Sequence, residues 1–440
     1  MRMYDIIKKK RDGFALSREE IAFFIKGYTN GSIPDEQASA LAMAIWFCGM
    51  NDEETACLTQ EITASGDVID LSGIDGFKVD KHSSGGVGDK TTLIVAPIVS
   101  AAGVKVAKMS GRGLGHTGGT IDKLESIPGF QTWVPREKFI KIVNEIGICV
   151  ASQSGELAPA DKKLYALRDE TATVDSLPLI ASSIMGKKLA SGADGIVLDV
   201  KVGSGSFNKT YEDGLALAKA MVSIGTRAGK RVTAILSDMD EPLGRAVGNS
   251  LELIEAIDVL KGSGDARLRR LCLALAANML FLADKGTLTE CERLAEAQIS
   301  SGSALQRLKD MVRAQGGDTA FIDDPSRFPK GKEHGVFAPC DGYITKIDTE
   351  RYGTAALLLG AGRNLKEDAI DHSAGIIVHK KKGDAVKEGE LIATLYASDE
   401  TRFEAAKATL LSALSVTDEI QEKQDVILGL VDEQSVKETR

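Results

Sequence analysis

The sequence predicts an α/β protein with an added helical domain: a mixed, parallel-rich sheet domain, a small all-α domain across a cleft from it, and a C-terminal α+β domain. Three observations predict this. At 440 residues the chain exceeds what one hydrophobic core usually supports, so several domains and a cleft between them are expected. Apolar residues recur at helical spacing through residues 1–65. From Val68 onward short β-rich runs alternate with helical stretches, the pattern of parallel strands joined by crossover helices.

Residues 1–13 are a charged stretch without an apolar signal core. Ser17 and Glu20 have the spacing of a capping box, and Ile21, Phe24, Ile25 and Tyr28 then mark one face of a helix that Gly31 and Pro34 punctuate. A second helix runs from Asp35 through Trp46. A third follows Asn51, where Asp52, Glu53 and Glu54 suit the positive end of its dipole. The runs Val104–Met109, Ile148–Ala151, Gly195–Val200 and Arg231–Leu236 read as strands. Gly195–Val200 is apolar up to Asp199, as in a strand buried on both faces, and residues 201–205 form a loop at its carboxyl end, where ligands of open α/β sheets bind. Helical spacing returns between Ala158 and Leu189. The helical domain is therefore expected over 1–65 and 158–190 and the sheet domain over 66–157 and 191–330, and the two crossings make a hinge. After the polar stretch Asp323–Glu333, residues 335–440 read as a separate domain.

The formal charge of -9 opposes non-specific attraction to nucleic acid. Cys48, Cys57, Cys149, Cys272, Cys291 and Cys340 form no C-x-x-C pair and mostly lie in apolar surroundings, so a reducing compartment and no zinc site are expected. No apolar run is long enough to span a bilayer, and a cytoplasmic location is expected.

Lys81 to Asp89 (KHSSGGVGD) follows the strand-like Phe77–Val79 and precedes a helix start at Thr91. Strand, glycine loop and helix start suit an anion: backbone N–H groups converge on phosphate oxygens, and Lys81, Ser83 and Thr92 add charge and donors. A plain structural turn is the bland alternative. A Walker loop does not fit, because Asp89 and not glycine precedes Lys90. In the second loop, Lys108 to Glu125, Gly113, Gly115 and Gly118 spell G-x-G-x-x-G, but Pro128 cuts the following helix short, against a dinucleotide site. Ser110 and Thr120 bracket this loop as donors from its opposite side. Tyr165 with Arg168, and Ser183 with Lys187, have spacings that share a helix face; either pair alone reads more readily as a solvated surface. Of the histidines, His82 lies within the first motif, while His116 reads as a packing or hydrogen-bonding residue of the second.

The two loops, together with Pro159–Asp169 and Ala181–Lys188, closely resemble the pyrimidine-nucleoside phosphorylase and thymidine phosphorylase family, along essentially the whole chain. The resemblance implies that Lys81, His82, Ser83, Thr92, Lys108, Met109, Ser110 and Thr120 hold phosphate. It places Tyr165, Arg168, Ser183 and Lys187 on the pyrimidine. The implied reaction is reversible phosphorolysis of uridine, thymidine and deoxyuridine: phosphate, the co-substrate, attacks the anomeric carbon. His82, Arg168 and Lys187 stabilise the leaving base, giving free pyrimidine and α-(deoxy)ribose 1-phosphate without an organic cofactor. Lys108 points to the broad type rather than a thymidine-restricted one. The resemblance further implies domain closure and a homodimer; the Leu41–Phe47 stretch is read either as burying against the second subunit or equally as internal core. The resemblance also implies a potassium ion held by Gly88, Lys90, Leu243 and Ala246, through backbone carbonyls, and by the Glu255 carboxylate. Many close relatives carry threonine where this chain has Lys90.

Two other classes compete. An anthranilate-type phosphoribosyltransferase resembles this family in fold, but no acidic pair stands out for the magnesium it requires. The motif Gly383 to Gly389 resembles the turn of biotinyl and lipoyl carriers, which makes a barrel-sandwich the expected C-terminal fold, yet no Met-Lys-Met or Asp-Lys-Ala modification site occurs there.

Overall fold

In the computed structural model the charged N-terminal residues form a helix, α1 (Met3–Arg11), the first of the helical domain. The structure describes residues 1–113, 118–153, 157–363, 365, 368–420 and 422–438. Lys10 of α1 is drawn inward by an ion pair with Glu54, 2.8 Å long and buried at both ends. The expected capping box of Ser17 and Glu20 opens α2 (Arg18–Thr29), which buries Ile21, Phe24, Ile25 and Tyr28. Then come α3 (Asp35–Cys48) and α4 (Asp52–Thr63), the latter opened by a second capping box of Asn51 and Glu54.

The sheet domain follows: β1 (Val79–Ser83), α5 (Thr91–Ala101), β2 (Val106–Ser110), α6 (Thr120–Leu124), α7 (Arg136–Ile146) and β3 (Ile148–Ser152). The chain then leaves through α8 (Pro159–Glu170) and α9 (Leu177–Ala190), packed on the helical domain, and returns as β4 (Gly195–Val202), α10 (Tyr211–Arg227), β5 (Arg231–Asp238) and β6 (Ala246–Val247). Helices α11 (Asn249–Leu260), α12 (Ala266–Leu282), α13 (Leu288–Ser300), α14 (Ser303–Ala314) and the short α15 (Ala320–Asp323) complete it. Strands β1, β4 and β5 are parallel neighbours, and the parallel pair β2–β3 joins β1 through a bridge between Lys78 and Lys105. As the apolar run predicts, β4 is buried on both faces. Ile196, Leu198 and Val200 enter a core shared with α9 and α10, while Val197 enters the one built with α5, α11 and α12.

The C-terminal segment contains β7 (Lys332–Phe337), β8 (Gly342–Ile347), α16 (Thr349–Leu359), β9 (Gly375–Val378), β10 (Ala385–Val386), β11 (Leu391–Ala397), α17 (Phe403–Ser412), β12 (Leu414–Thr417), β13 (Ile427–Val431) and β14 (Val436–Glu438). Its strands lie in two sheets, ordered β10-β8-β12 and β6-β9-β11-β7, around one core with α16 and α17. No closed barrel forms among the described residues, because β6, a strand of the sheet domain, takes the edge beside β9. The expected boundary at 335 also fails for the last strands. β13 adds antiparallel to β5 and β14 follows it, since Val426, Ile427 and Leu430 complete one core of the main sheet and Leu428 and Val431 the other. Cys57, Cys149, Cys272 and Cys291 are buried. Among the described residues no helix is long and apolar enough to cross a membrane.

Candidate active site

Lys81, His82 and Ser83 belong to the end of β1 and not to the loop after it, their backbones fixed by pairing with Val197, Leu198 and Asp199 of β4. The turn that follows approaches the 243–246 segment so closely that a Cβ on Gly88, at φ +74°, would stand 2.7 Å from the Leu243 carbonyl oxygen; only glycine fits. Asp89 accepts the Thr91 amide at 3.2 Å and its hydroxyl at 2.6 Å just ahead of α5, whose first turn carries Thr92. The second loop folds on itself: a Cβ on Gly119 would meet the Gly113 nitrogen at 2.2 Å. Asp122 accepts the Gly113 amide at 2.7 Å and Arg363, reaching over from the C-terminal segment, at 2.8 Å. Gly115 and His116 lie outside the described residues.

The two loops enclose a cavity of about 160 Å³ whose lining includes His82, Ser83, Thr92, Lys108, Met109, Ser110 and Thr120. Lys81 sits behind it, buried, with Nζ 2.5 Å from the Thr91 hydroxyl and 3.1 Å from Asp199. Asp89, Arg112, Gln153 and Lys188 complete the wall. Beneath it charges alternate: Lys201 pairs with Asp199 at 2.7 Å, Lys108 with Asp80 at 3.1 Å, Lys188 with Asp80 at 2.9 Å and Lys81 with Asp89 at 3.8 Å. Four lysines (81, 108, 188 and 201) face three aspartates (80, 89 and 199), which leaves one positive charge to balance an anion when all four lysines are protonated.

Burial opposes the charge on Lys81, but Asp89 and Asp199 outweigh it and its affinity for a proton rises. For Lys108 burial wins: with Asp80 only partly compensating and Lys188 and Lys81 adding repulsion, its pKa falls to about 7. Burial, then the repulsion of Lys188, Lys108, Lys187 and Lys81, holds the His82 imidazole well below its ordinary value and therefore neutral.

On the helical side, Lys187 donates to Asp161 at 2.8 Å and to Ser183 at 3.2 Å, so Ser183 and Lys187 share a face as their spacing predicts. The adjacent Lys188 anchors α9 to β1 through Asp80. Arg168 stands outside the cavity's lining. It is 1% exposed, and its guanidinium donates to the carbonyls of Thr173, Val174 and Leu179, locking the α8–α9 turn. Tyr165 is exposed, with the Arg168 guanidinium 5.9 Å from its ring centre. The structure thus gathers the expected phosphate residues, while Tyr165, Arg168, Ser183 and Lys187 stand outside the cavity lining.

Three family models match in series: "Glycosyl transferase family, helical bundle domain" over residues 4–66, "Glycosyl transferase family, a/b domain" over 75–305, and "Pyrimidine nucleoside phosphorylase C-terminal domain" over 343–417. The pyrimidine-nucleoside phosphorylase of Geobacillus stearothermophilus is 58% identical over 402 residues, 91% of this chain and 93% of its own. The chain belongs to the pyrimidine-nucleoside phosphorylase family. The family's Staphylococcus haemolyticus phosphorylase is 59% identical over the same shares. Anthranilate phosphoribosyltransferase of Thermus thermophilus superposes with a TM-score of 0.58 over 70% of this chain and 98% of its own, at 20% identity, a likeness of fold alone.

The residues expected from the sequence to hold potassium also converge, but around a side chain. Lys90 Nζ donates to the carbonyls of Leu243 and Ala246, each at 2.8 Å, and to Glu255 Oε2 at 2.6 Å. Gly88 contributes by proximity, its carbonyl accepting the Lys90 amide at 2.9 Å. Sequence reasoning missed Asp80, Asp89, Lys188, Asp199 and Lys201 as members of this candidate site. The available signal was a charged residue inside an apolar strand, as at Asp80, Asp199 and Lys201, because burial demands a partner for each.

Proposed function

We propose that this chain splits pyrimidine nucleosides with inorganic phosphate, accepting uridine, thymidine and deoxyuridine and releasing the free base and α-(deoxy)ribose 1-phosphate. The observation that carries the reading is the cavity where the ends of β1 and β2 meet the start of α5, with its hydroxyls and its excess of one buried positive charge. A phosphate dianion there accepts from Ser83, Thr92, Ser110 and Thr120, and Lys108 supplies charge at the cavity wall. As the glycosidic bond breaks, the sugar becomes cationic and the base anionic. Phosphate faces the first, and Ser183 and Lys187 serve the second. His82, kept neutral by burial and by its lysine neighbours, acts as an N–H donor to the base carbonyl and not as a proton donor.

Because Ser183 and Lys187 lie outside the phosphate cavity, the reading requires the helical domain to close on the sheet domain, and Arg168 to exchange carbonyl partners for the base. The broad substrate range rests on Lys108. A homodimer is proposed through α3, whose Met43, Trp46 and Phe47 are exposed, and a cytoplasmic location through the reducing environment that the unpaired cysteines call for. The test is release of uracil and thymine from uridine and thymidine, with and without phosphate. Release of both bases only when phosphate is present, reduced by about 100-fold or more in Lys187→Ala, is expected. Thymine release alone would restrict the substrate range, and release of neither base would defeat the proposal.

A further inference from the structure

Lys90 is fully buried at the entry to α5, one residue beyond Asp89 of the phosphate cavity, and its side chain turns away from that cavity. All three ammonium protons have an acceptor: the Leu243 carbonyl, the Ala246 carbonyl and Glu255 Oε2. The Glu255 carboxylate is fixed in turn by the amides of Arg245 at 2.7 Å and Ala246 at 2.9 Å. Two carbonyl dipoles and one carboxylate make a cage of hard oxygens with a single negative charge, suited to one monovalent cation. An ammonium group and a potassium ion are similar in size and both take oxygen neighbours. The cage therefore cannot hold the ion while Lys90 occupies it, and the ligand set that the family resemblance implies does not fit potassium in this chain.

We propose that the Lys90 ammonium is a built-in replacement for the cation, fastening the phosphate loop to the 243–246 turn so that this enzyme works and stays folded without potassium. The mechanical link is explicit. Lys90 joins the start of α5 to Ala246 of β6, which pairs with Ile377 of β9, so one side chain ties the phosphate loop to the C-terminal sheet. Lys90 is a positioning residue: it acts through the loop and touches no reacting atom. A threonine here would keep a hydroxyl near the loop, remove the charge and reopen the cage.

The experiment titrates potassium into the full-length chain against tetramethylammonium at matched ionic strength. It follows the thermal unfolding midpoint and phosphate-dependent uracil release. The activity reading rests on the proposed phosphorolysis; the midpoint does not, so the two failures are distinguishable. In the native chain, potassium is expected to leave the rate within about twofold and the midpoint unmoved relative to tetramethylammonium. In Lys90→Thr, potassium alone is expected to raise both, the rate by about fivefold or more, by binding the folded state preferentially. A native chain whose midpoint or rate climbs with potassium overturns the proposal. So does a folded Lys90→Thr protein that matches the native chain without potassium, or one that potassium fails to restore. If Lys90→Thr does not fold, the native titration decides alone.

Discussion

Lys108 changes charge near neutrality: burial lowers its pKa to about 7, with Asp80 opposing and Lys188 and Lys81 reinforcing the shift. It carries a full positive charge below that value and loses it as pH rises through it. Its proposed contribution to phosphate binding should therefore fall with increasing pH, although bound phosphate shifts the loss upward by favouring the ammonium. Lys108→Met should raise the phosphate KM about tenfold at pH near 6, an interaction of about 1.4 kcal/mol, and the gap should narrow by pH near 9. Initial rates across that range check it; a ratio independent of pH would show that Lys108 acts without its charge. The residues that line the cavity were legible in the sequence because they cluster in two short segments flanked by glycine. Arg168 was not: its i, i+3 relation to Tyr165 is real, but nothing local reveals that three carbonyls of the following turn absorb its guanidinium.

Elements were legible where their signals are local. The Ser17–Glu20 box, the apolar runs of β4 and β5 and the glycine turn before α5 all form as their spacing predicts. In helix α1 the charged sequence leaves a narrow apolar face of Met3 and Ile6, and Lys10 is buried only through Glu54 of α4. A similar remote contact governs α6. Asp122, 1% exposed, holds the second loop through Gly113 and is itself held by Arg363. Arg363→Ala should loosen that loop and weaken phosphate binding by about 1 kcal/mol, roughly fivefold in KM, the scale of modulation from residues that touch no ligand. The kcat should change less than the KM. Steady-state kinetics with phosphate varied separates the two, and equal losses in both would place Arg363 in the chemistry.

At the scale of the molecule, the last strands return to the main sheet and cover the edge of β5. Val426 and Val431 are 1% and 2% exposed, and burying such a side chain contributes about 1.5–3 kcal/mol. A chain ended at Asp425 should lose more than about 3 kcal/mol and expose an unpaired edge. It should therefore show a lower unfolding midpoint and association beyond the state of the intact chain, read by thermal unfolding and sedimentation velocity. An unchanged midpoint with unchanged sedimentation would mean that β5 needs no cover.

The sequence by itself determined the layered α/β architecture with its helical unit, most helix starts and strand positions, and the two glycine-rich loops that line the cavity. These depend on period, capping and glycine placement within a few residues of one another. Only the tertiary structure decided that β13 belongs to the main sheet, that Arg168 clamps its own turn, that Lys188 supports the cavity, and that Lys90 fills an oxygen cage built from a segment more than 150 residues away. A buried charge or an open strand edge must find a partner, and which partner it finds is set by how the chain packs, not by its neighbours in sequence.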